Sequence, residues 1–312
     1  MDTISIQKYH IPSRLKLFLA LSRTHHGLLD LATPGLGALL WLGKLPSPEI
    51  IALGLLTAFA GYTAVYALND LVDYRSDQVK IQQSGLWTVP KGLDGVYVRH
   101  PMAHGLLSLK EGLVWTGAWG LLALAGAYLL NPVCALIFLV SCFLEATYCL
   151  LLRVTHFRTI ISGVVKTSGG IAAVFAVDPN PPPLFLALFF FCIFFWEIGG
   201  QNVPSDWVDR EEDRQLQSKT LPVQLGPQNA SIIVLGSLVI SVVLSFVLFW
   251  FTQAKPNYLY PVAVLIGGVY ILLIPAYLLY KTETLEEASN LFSRASYYPM
   301  VLLGIVVLSL AI

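Results

Sequence analysis

Eight of the 19 acidic residues fall in two eight-residue windows. The first follows Asn69 and carries Asp70, Asp73 and Asp77; the second carries Asp206, Asp209, Glu211, Glu212 and Asp213. Three aspartates stand at i, i+3 and i+7 in each window, and the second set repeats the first 136 residues later. On a helix this spacing stacks three carboxylates along one face. Carboxylates so crowded repel, and one held deep in a bilayer costs about 2.5–3.5 kcal/mol. The nearby Lys and Arg are too few to pair all six, which leaves a divalent cation. Hard oxygen donors with no Cys or His among them favour Mg²⁺ or Mn²⁺ over zinc. Mg²⁺ retains water and completes its shell with substrate phosphates, so the chemistry pointed to is metal-assisted handling of a phosphorylated ligand. Solvated helix ends would explain one cluster; matched spacing and shared sidedness argue against that for both. A divalent-cation transporter using the same carboxylates is the competing function. Its carboxylates would be expected near the bilayer midplane, whereas these sit at helix ends that run into basic loops.

The elements that position the clusters follow from composition. The 312 residues are 56% hydrophobic and only 12% charged, with a mean hydropathy of +0.68, against roughly 25% charged in a soluble domain. Such a chain cannot cover a water-facing surface, so an integral membrane protein is expected. Lys plus Arg equals Asp plus Glu at 19 each, and with no basic excess a nucleic-acid partner is not expected. No cleaved signal is expected in residues 1–16, because the apolar stretch that follows is broken by Arg23, His25, His26 and Asp30. Cys134, Cys142, Cys149 and Cys192 all lie in apolar runs and read as small buried side chains.

Hydropathy predicts nine spans, at about 18–42, 49–72, 105–130, 132–152, 159–177, 183–207, 229–252, 259–280 and 295–312. The expected architecture is all-α, a single membrane-embedded domain over 1–312 built as a polytopic bundle around a central cavity. With the N-terminus in the cytoplasm, cytoplasmic segments hold 14 Lys and Arg while the opposite side holds only Lys44 and Lys255. Both acidic clusters then close even-numbered spans at the cytoplasmic boundary, where they can face one another.

With the motifs placed, the sequence resembles the UbiA-type intramembrane prenyltransferase superfamily. Asn69 to Asp77 reads N-D-x-x-D-x-x-x-D, similar to that family's first acidic motif, and lies in the expected second helix. Asp206 through Lys219-Thr220 and the apolar run to Gly226 resembles its second, with Asp209 and Asp213 the best matches, Asn202 at the upstream polar position, and Asp206 and Glu212 flanking. The resemblance spans essentially the whole chain. It implies an Mg²⁺-dependent enzyme, with two ions and Mn²⁺ as an alternative, moving a polyprenyl group from prenyl diphosphate to an aromatic or lipid acceptor with release of pyrophosphate. The implied metal ligands are Asn69, Asp70, Asp73, Asp77, Asn202, Asp206, Asp209 and Asp213. Asp70, Asp73, Asp209 and Lys166 are implied at the centre of the chemistry.

Basic residues that could grip the diphosphate are Arg23, Lys80, Arg153, Arg158, Lys166 and Lys219. Arg153 follows Tyr148, an order the family often shows, and Lys219 matches a Lys-Thr position. For Lys166, buried in an apolar run, the bland reading is a structural pair with Glu145 or Glu197. His25 and His26 are left outside the site. The sequence departs from the family where an Arg-Pro element usually follows the first motif. A loop of nearly 30 residues stands there, offering Lys91 after Val89-Pro90, and Arg99-His100-Pro101. That loop is a candidate lid over the cavity mouth.

Overall fold

The computed structural model describes residues 13–84, 98–253 and 258–311. Among them every regular element is a helix. Eight runs are long and apolar enough to cross a membrane: Pro48–Val72, Leu109–Leu130, Pro132–Leu150, Arg158–Val177, Pro183–Val208, Leu221–Phe251, Leu259–Thr282 and Leu285–Ala311. The ninth expected span, near the N-terminus, is three short helices, α1 (Arg14–Leu21), α2 (Thr24–Asp30) and α3 (Ala32–Leu42). The first break has a local cause: Arg23 adopts a left-handed backbone, with φ 42° and ψ 46°, between α1 and α2, a conformation that ends a right-handed helix.

The remaining elements are α4 (Pro48–Val72), α5 (Tyr74–Ser84), α6 (Leu109–Leu130), α7 (Pro132–Leu150), α8 (Arg158–Val177), α9 (Pro183–Trp196), a π-helical segment (Glu197–Asn202), α10 (Val203–Val208) and α11 (Arg210–Gln215). Then follow α12 (Leu221–Phe251), α13 (Leu259–Gly267), a second π segment (Gly268–Leu273), α14 (Ile274–Thr282), α15 (Leu285–Ala295) and α16 (Tyr298–Ala311). Helix starts are written in the sequence. Ser47 caps α4 with Pro48 behind it, Ser108 and Glu111 form a capping box on α6, and Asn131-Pro132 opens α7.

Helix α4 packs on α6, α7 on α8, α9 on α12, and α3 on α8. The contact of α3 with α8 is close because both surfaces are glycine there: a Cβ on Gly37 would lie 3.0 Å from the Gly170 carbonyl oxygen and 2.9 Å from the Phe189 ring. The two π segments share a cause. Pro204 and Pro275 each stand two residues past such a segment, and a proline can neither donate to the carbonyl four residues back nor fit against it. The displaced turn widens. The first widening turns Glu197, Gln201 and Asn202 toward a cavity of about 530 Å³ running through the bundle.

Candidate active site

The first acidic motif spans the end of α4 and the start of α5. Asp70 and Asp77 are buried, each 3% exposed, while Asp73 is partly exposed. The second motif runs from α10 through α11, with Asp206 and Asp213 buried and Asp209 between them at the helix junction. Two neighbouring loop residues bring the motifs together. The Arg99 guanidinium donates to Asp209 Oδ1 at 3.0 Å and to Oδ2 at 2.5 Å. The adjacent His100 places Nδ1 3.1 Å from Asp70 Oδ1 and 2.9 Å from Asp77 Oδ2. Consecutive Cα atoms are about 3.8 Å apart, so both acidic stripes open onto one small volume. Lys80 of α5, 4.0 Å from Asp213, ties them at a second point.

Charge balance at this mouth sets the ionisation of its groups. Burial pushes the Asp73 carboxyl up, aided by the Asp77 charge, and burial likewise raises Asp213 against the Lys80 charge. Burial works the same way on Asp77 and Asp209, but His100 outweighs it at Asp77 and Arg99 at Asp209, and both carboxyls end below their ordinary value. Burial opposes protonation of His100, yet Asp77 and Asp70 outweigh it and lift its pKa to about 9. Backbone geometry is unusual here as well. His100 has φ 53° and Arg23, at the same mouth, φ 42°, left-handed values uncommon outside glycine and concentrated at functional sites.

A further arm reaches the site from α7 and α8. Arg158 lies 3.6 Å from Asp206, its guanidinium carbon 3.9 Å over the Tyr148 ring, and it donates to the Tyr148 hydroxyl. Asn202 Nδ2 also reaches that hydroxyl, at 2.9 Å. The opposite oxygens, Asn202 Oδ1 and Asp206 Oδ2, are buried and accept no hydrogen bond among the described residues. Two orphaned oxygens beside the converging aspartates are what a cation would complete, since a buried acceptor left unmatched is costly. The ligand atoms of Asp70, Asp77 and His100 also lie within 4.8 Å of one another. The donor set is dominated by carboxylates and fits Mg²⁺ or Mn²⁺.

Most residues singled out from sequence therefore meet at one mouth: Asn69, Asp70, Asp77, Tyr148, Asn202, Asp206, Asp209 and Asp213, with Arg23 3.6 Å from Asp70 and 3.5 Å from Asn69 Oδ1. Asp73 shares their helix junction. Arg153 and Lys219 are not brought in; both side chains are exposed and neither lines the cavity. Arg158 fills the place expected of Arg153, and the turn at Thr155 to Phe157, which no spacing rule anticipates, makes the difference. Lys166 does line the cavity, with a partner that differs from Glu145 and Glu197: Asp30, at 2.7 Å. The basic residues offered by the unusual loop resolve to Arg99 and His100. Lys91 lies outside the described residues, as do residues 85–97 of the loop read as a lid, whereas its first stretch, 78–84, is helical and belongs to α5.

Comparison with known proteins agrees with this geometry. The model of the UbiA prenyltransferase family matches residues 31–298. A 4-hydroxybenzoate octaprenyltransferase from Shewanella denitrificans is 26% identical over 219 residues, 69% of each chain. A UbiA homologue from Aeropyrum pernix K1 superposes with a TM-score of 0.73 at 18% identity, covering 91% of this chain and 97% of that one. The structure of an Archaeoglobus fulgidus homologue bound to GPP and Mg²⁺ superposes with a TM-score of 0.70 at 19% identity, over 95% and 100% of the two chains.

Proposed function

Because the chain belongs to the UbiA prenyltransferase family, and so is an integral membrane prenyltransferase, we propose that its paired aspartate motifs bind a prenyl diphosphate through Mg²⁺ and deliver the prenyl group to an aromatic or lipid acceptor. The observation that carries this reading is the convergence of the motifs through Arg99 and His100 on one cavity mouth. The metal-bound relative with GPP supports it, and the octaprenyltransferase relative supports an aromatic acceptor.

Asn69, Asp70, Asp73, Asp77, Asn202, Asp206, Asp209 and Asp213 would hold divalent metal, which neutralises charge gathering on the leaving diphosphate. Arg23, Lys80, Arg99 and Arg158 stand where they can carry the rest of that charge. Behind the mouth the cavity walls are mainly apolar, which suits an isoprenoid chain and keeps water from an allylic cation. The excess of Lys and Arg in the segments on the motif side supports an orientation with the N-terminus and both motifs facing the cytoplasm.

The test is thermal unfolding of detergent-purified protein with geranylgeranyl diphosphate, with and without Mg²⁺, beside Asp70→Asn and Asp209→Asn. A ligand bound at 100 times its Kd stabilises by about 2.7 kcal/mol. A shift that needs the donor, Mg²⁺ and both aspartates is the expected result. Mg²⁺ stabilisation to which the diphosphate adds nothing would overturn the reading and favour cation passage, which measurement of flux in liposomes would then decide.

A further inference from the structure

Deeper in the same cavity lies a second polar group that the diphosphate site does not use. Lys166 pairs with Asp30 at 2.7 Å and also donates to the Tyr66 hydroxyl at 3.3 Å; Tyr66 in turn donates to Asp30 at 2.5 Å. One turn along α8, the Ser162 hydroxyl donates to Glu197 Oε1 at 2.9 Å. Glu197 is only 7% exposed, yet among the described residues its Oε2 has no hydrogen-bond partner, and neither has the buried Tyr62 hydroxyl. Ser162, Lys166, Asp30, Glu197, Tyr62 and Tyr66 all line the cavity.

The depth of this group follows from helix geometry. Arg158 meets Asp206 at the mouth, and Lys166 stands eight residues along the same helix, about 12 Å at 1.5 Å per residue. Tyr66 is a single turn from Asn69 and Asp70 on α4. The cluster therefore sits one to two helical turns from the aspartate motifs within the same cavity, so an acceptor bound there would share the cavity with the prenyl chain. An isoprenoid tail offers no partner to an orphaned carboxylate oxygen and a phenol.

Building on the proposed function, we propose that Glu197 and Tyr62 form the acceptor subsite, and that it takes an uncharged hydroxyl compound and rejects an aromatic carboxylate. A hydroxyl donates once and accepts through its lone pairs, and the lining of this one cavity offers both an orphaned acceptor, Glu197 Oε2, and an orphaned donor, the Tyr62 hydroxyl. A carboxylate would meet two carboxylates, Asp30 and Glu197, for the single ammonium of Lys166, which Asp30 already holds. Towards the mouth the lining cations are also engaged: Arg23 is 3.6 Å from Asp70 and Arg99 is bidentate on Asp209. His25 and His26 also line the cavity, their rings tilted at 50° with centroids 4.3 Å apart.

The experiment uses the full chain with Mg²⁺ and geranyl diphosphate and compares three probes: hydroquinone, methyl 4-hydroxybenzoate and 4-hydroxybenzoate. Donor-induced thermal stabilisation is followed in parallel for wild type and Glu197→Gln. Wild type is expected to favour the uncharged phenols over 4-hydroxybenzoate by about tenfold or more in kcat/KM, in the range a site's unmatched polar groups enforce. Glu197→Gln, which removes the charge and keeps the shape, should collapse that ratio severalfold while donor stabilisation persists. A preference for 4-hydroxybenzoate in wild type, an unchanged ratio in Glu197→Gln, or transfer to none of the uncharged probes with donor binding intact would each overturn the assignment. Failure of the donor to stabilise wild type would instead strike the prenyl diphosphate reading itself.

Discussion

The Lys166 ammonium and the Asp30 carboxylate form an ion pair at 2.7 Å, joining α8 to the broken N-terminal segment inside the bundle. Each charge is tolerable only because of the other. Breaking a buried pair from one side leaves an uncompensated charge and costs about 3–5 kcal/mol. Asp30→Asn should therefore lower the thermal midpoint of the detergent-purified protein sharply, and Lys166→Met in the same background should recover much of the loss. If the double variant is as unstable as the single one, the pair is not what holds α2 in place.

The two arginines that flank the α7–α8 turn make opposite predictions. Arg158 is buried over Tyr148 and faces Asp206, whereas Arg153 is exposed. Charge-assisted hydrogen bonds contribute about 1.5–3 kcal/mol, so Arg158→Ala should raise the KM for prenyl diphosphate about tenfold or more, with Arg158→Lys intermediate. Arg153→Ala should stay within about twofold, as exposed charges usually do. Steady-state kinetics with one saturating acceptor decides the matter, and the reverse ranking would restore Arg153 to the site.

That reversal shows where sequence reasoning stopped. The aspartate motifs were legible because charge is scarce in an apolar chain, and a repeated i, i+3, i+7 spacing has few innocent explanations. Most helix boundaries were legible through Ser, Asn and Pro at their starts. The partners of the cations were not. Lys166 and Asp30 are 136 residues apart, as Arg99 and Asp209 are 110 apart, and no local pattern links residues so distant. The histidine at position 100 was visible only as part of a loop that departs from the family. The widened turn at Glu197–Asn202 carried one overlooked signal, Pro204 inside an apolar helix, which marks a place where backbone hydrogen bonds must rearrange.

Close packing of α3 on α8 yields a stability test. A methyl group on Gly37 would press on the Gly170 carbonyl and the Phe189 ring at 3.0 and 2.9 Å. Overpacking of this kind costs about 1–3 kcal/mol, so Gly37→Ala should lower the midpoint. Gly117 in α6 has open space where its Cβ would go, and Gly117→Ala should be neutral or stabilising by up to about 1 kcal/mol. Equal destabilisation by both would mean that glycine serves the helices by some means other than close approach.

His100 stands between Asp70 Oδ1 and Asp77 Oδ2, where a cation of either kind, imidazolium or metal, offsets two buried carboxylates. The side chain and the metal should therefore be partly interchangeable in stability. His100→Asn is the informative variant, because Asn tolerates the left-handed backbone found there and carries no charge. With metal stripped by EDTA it should be less stable than wild type by about 1–3 kcal/mol, the cost of leaving buried charged groups unmatched. Saturating Mg²⁺ should close most of that gap, because the ion supplies the missing charge. Thermal midpoints of both proteins across a Mg²⁺ titration provide the comparison. A deficit that stays constant from EDTA to saturation would show that His100 contributes packing alone and that metal binds away from Asp70 and Asp77.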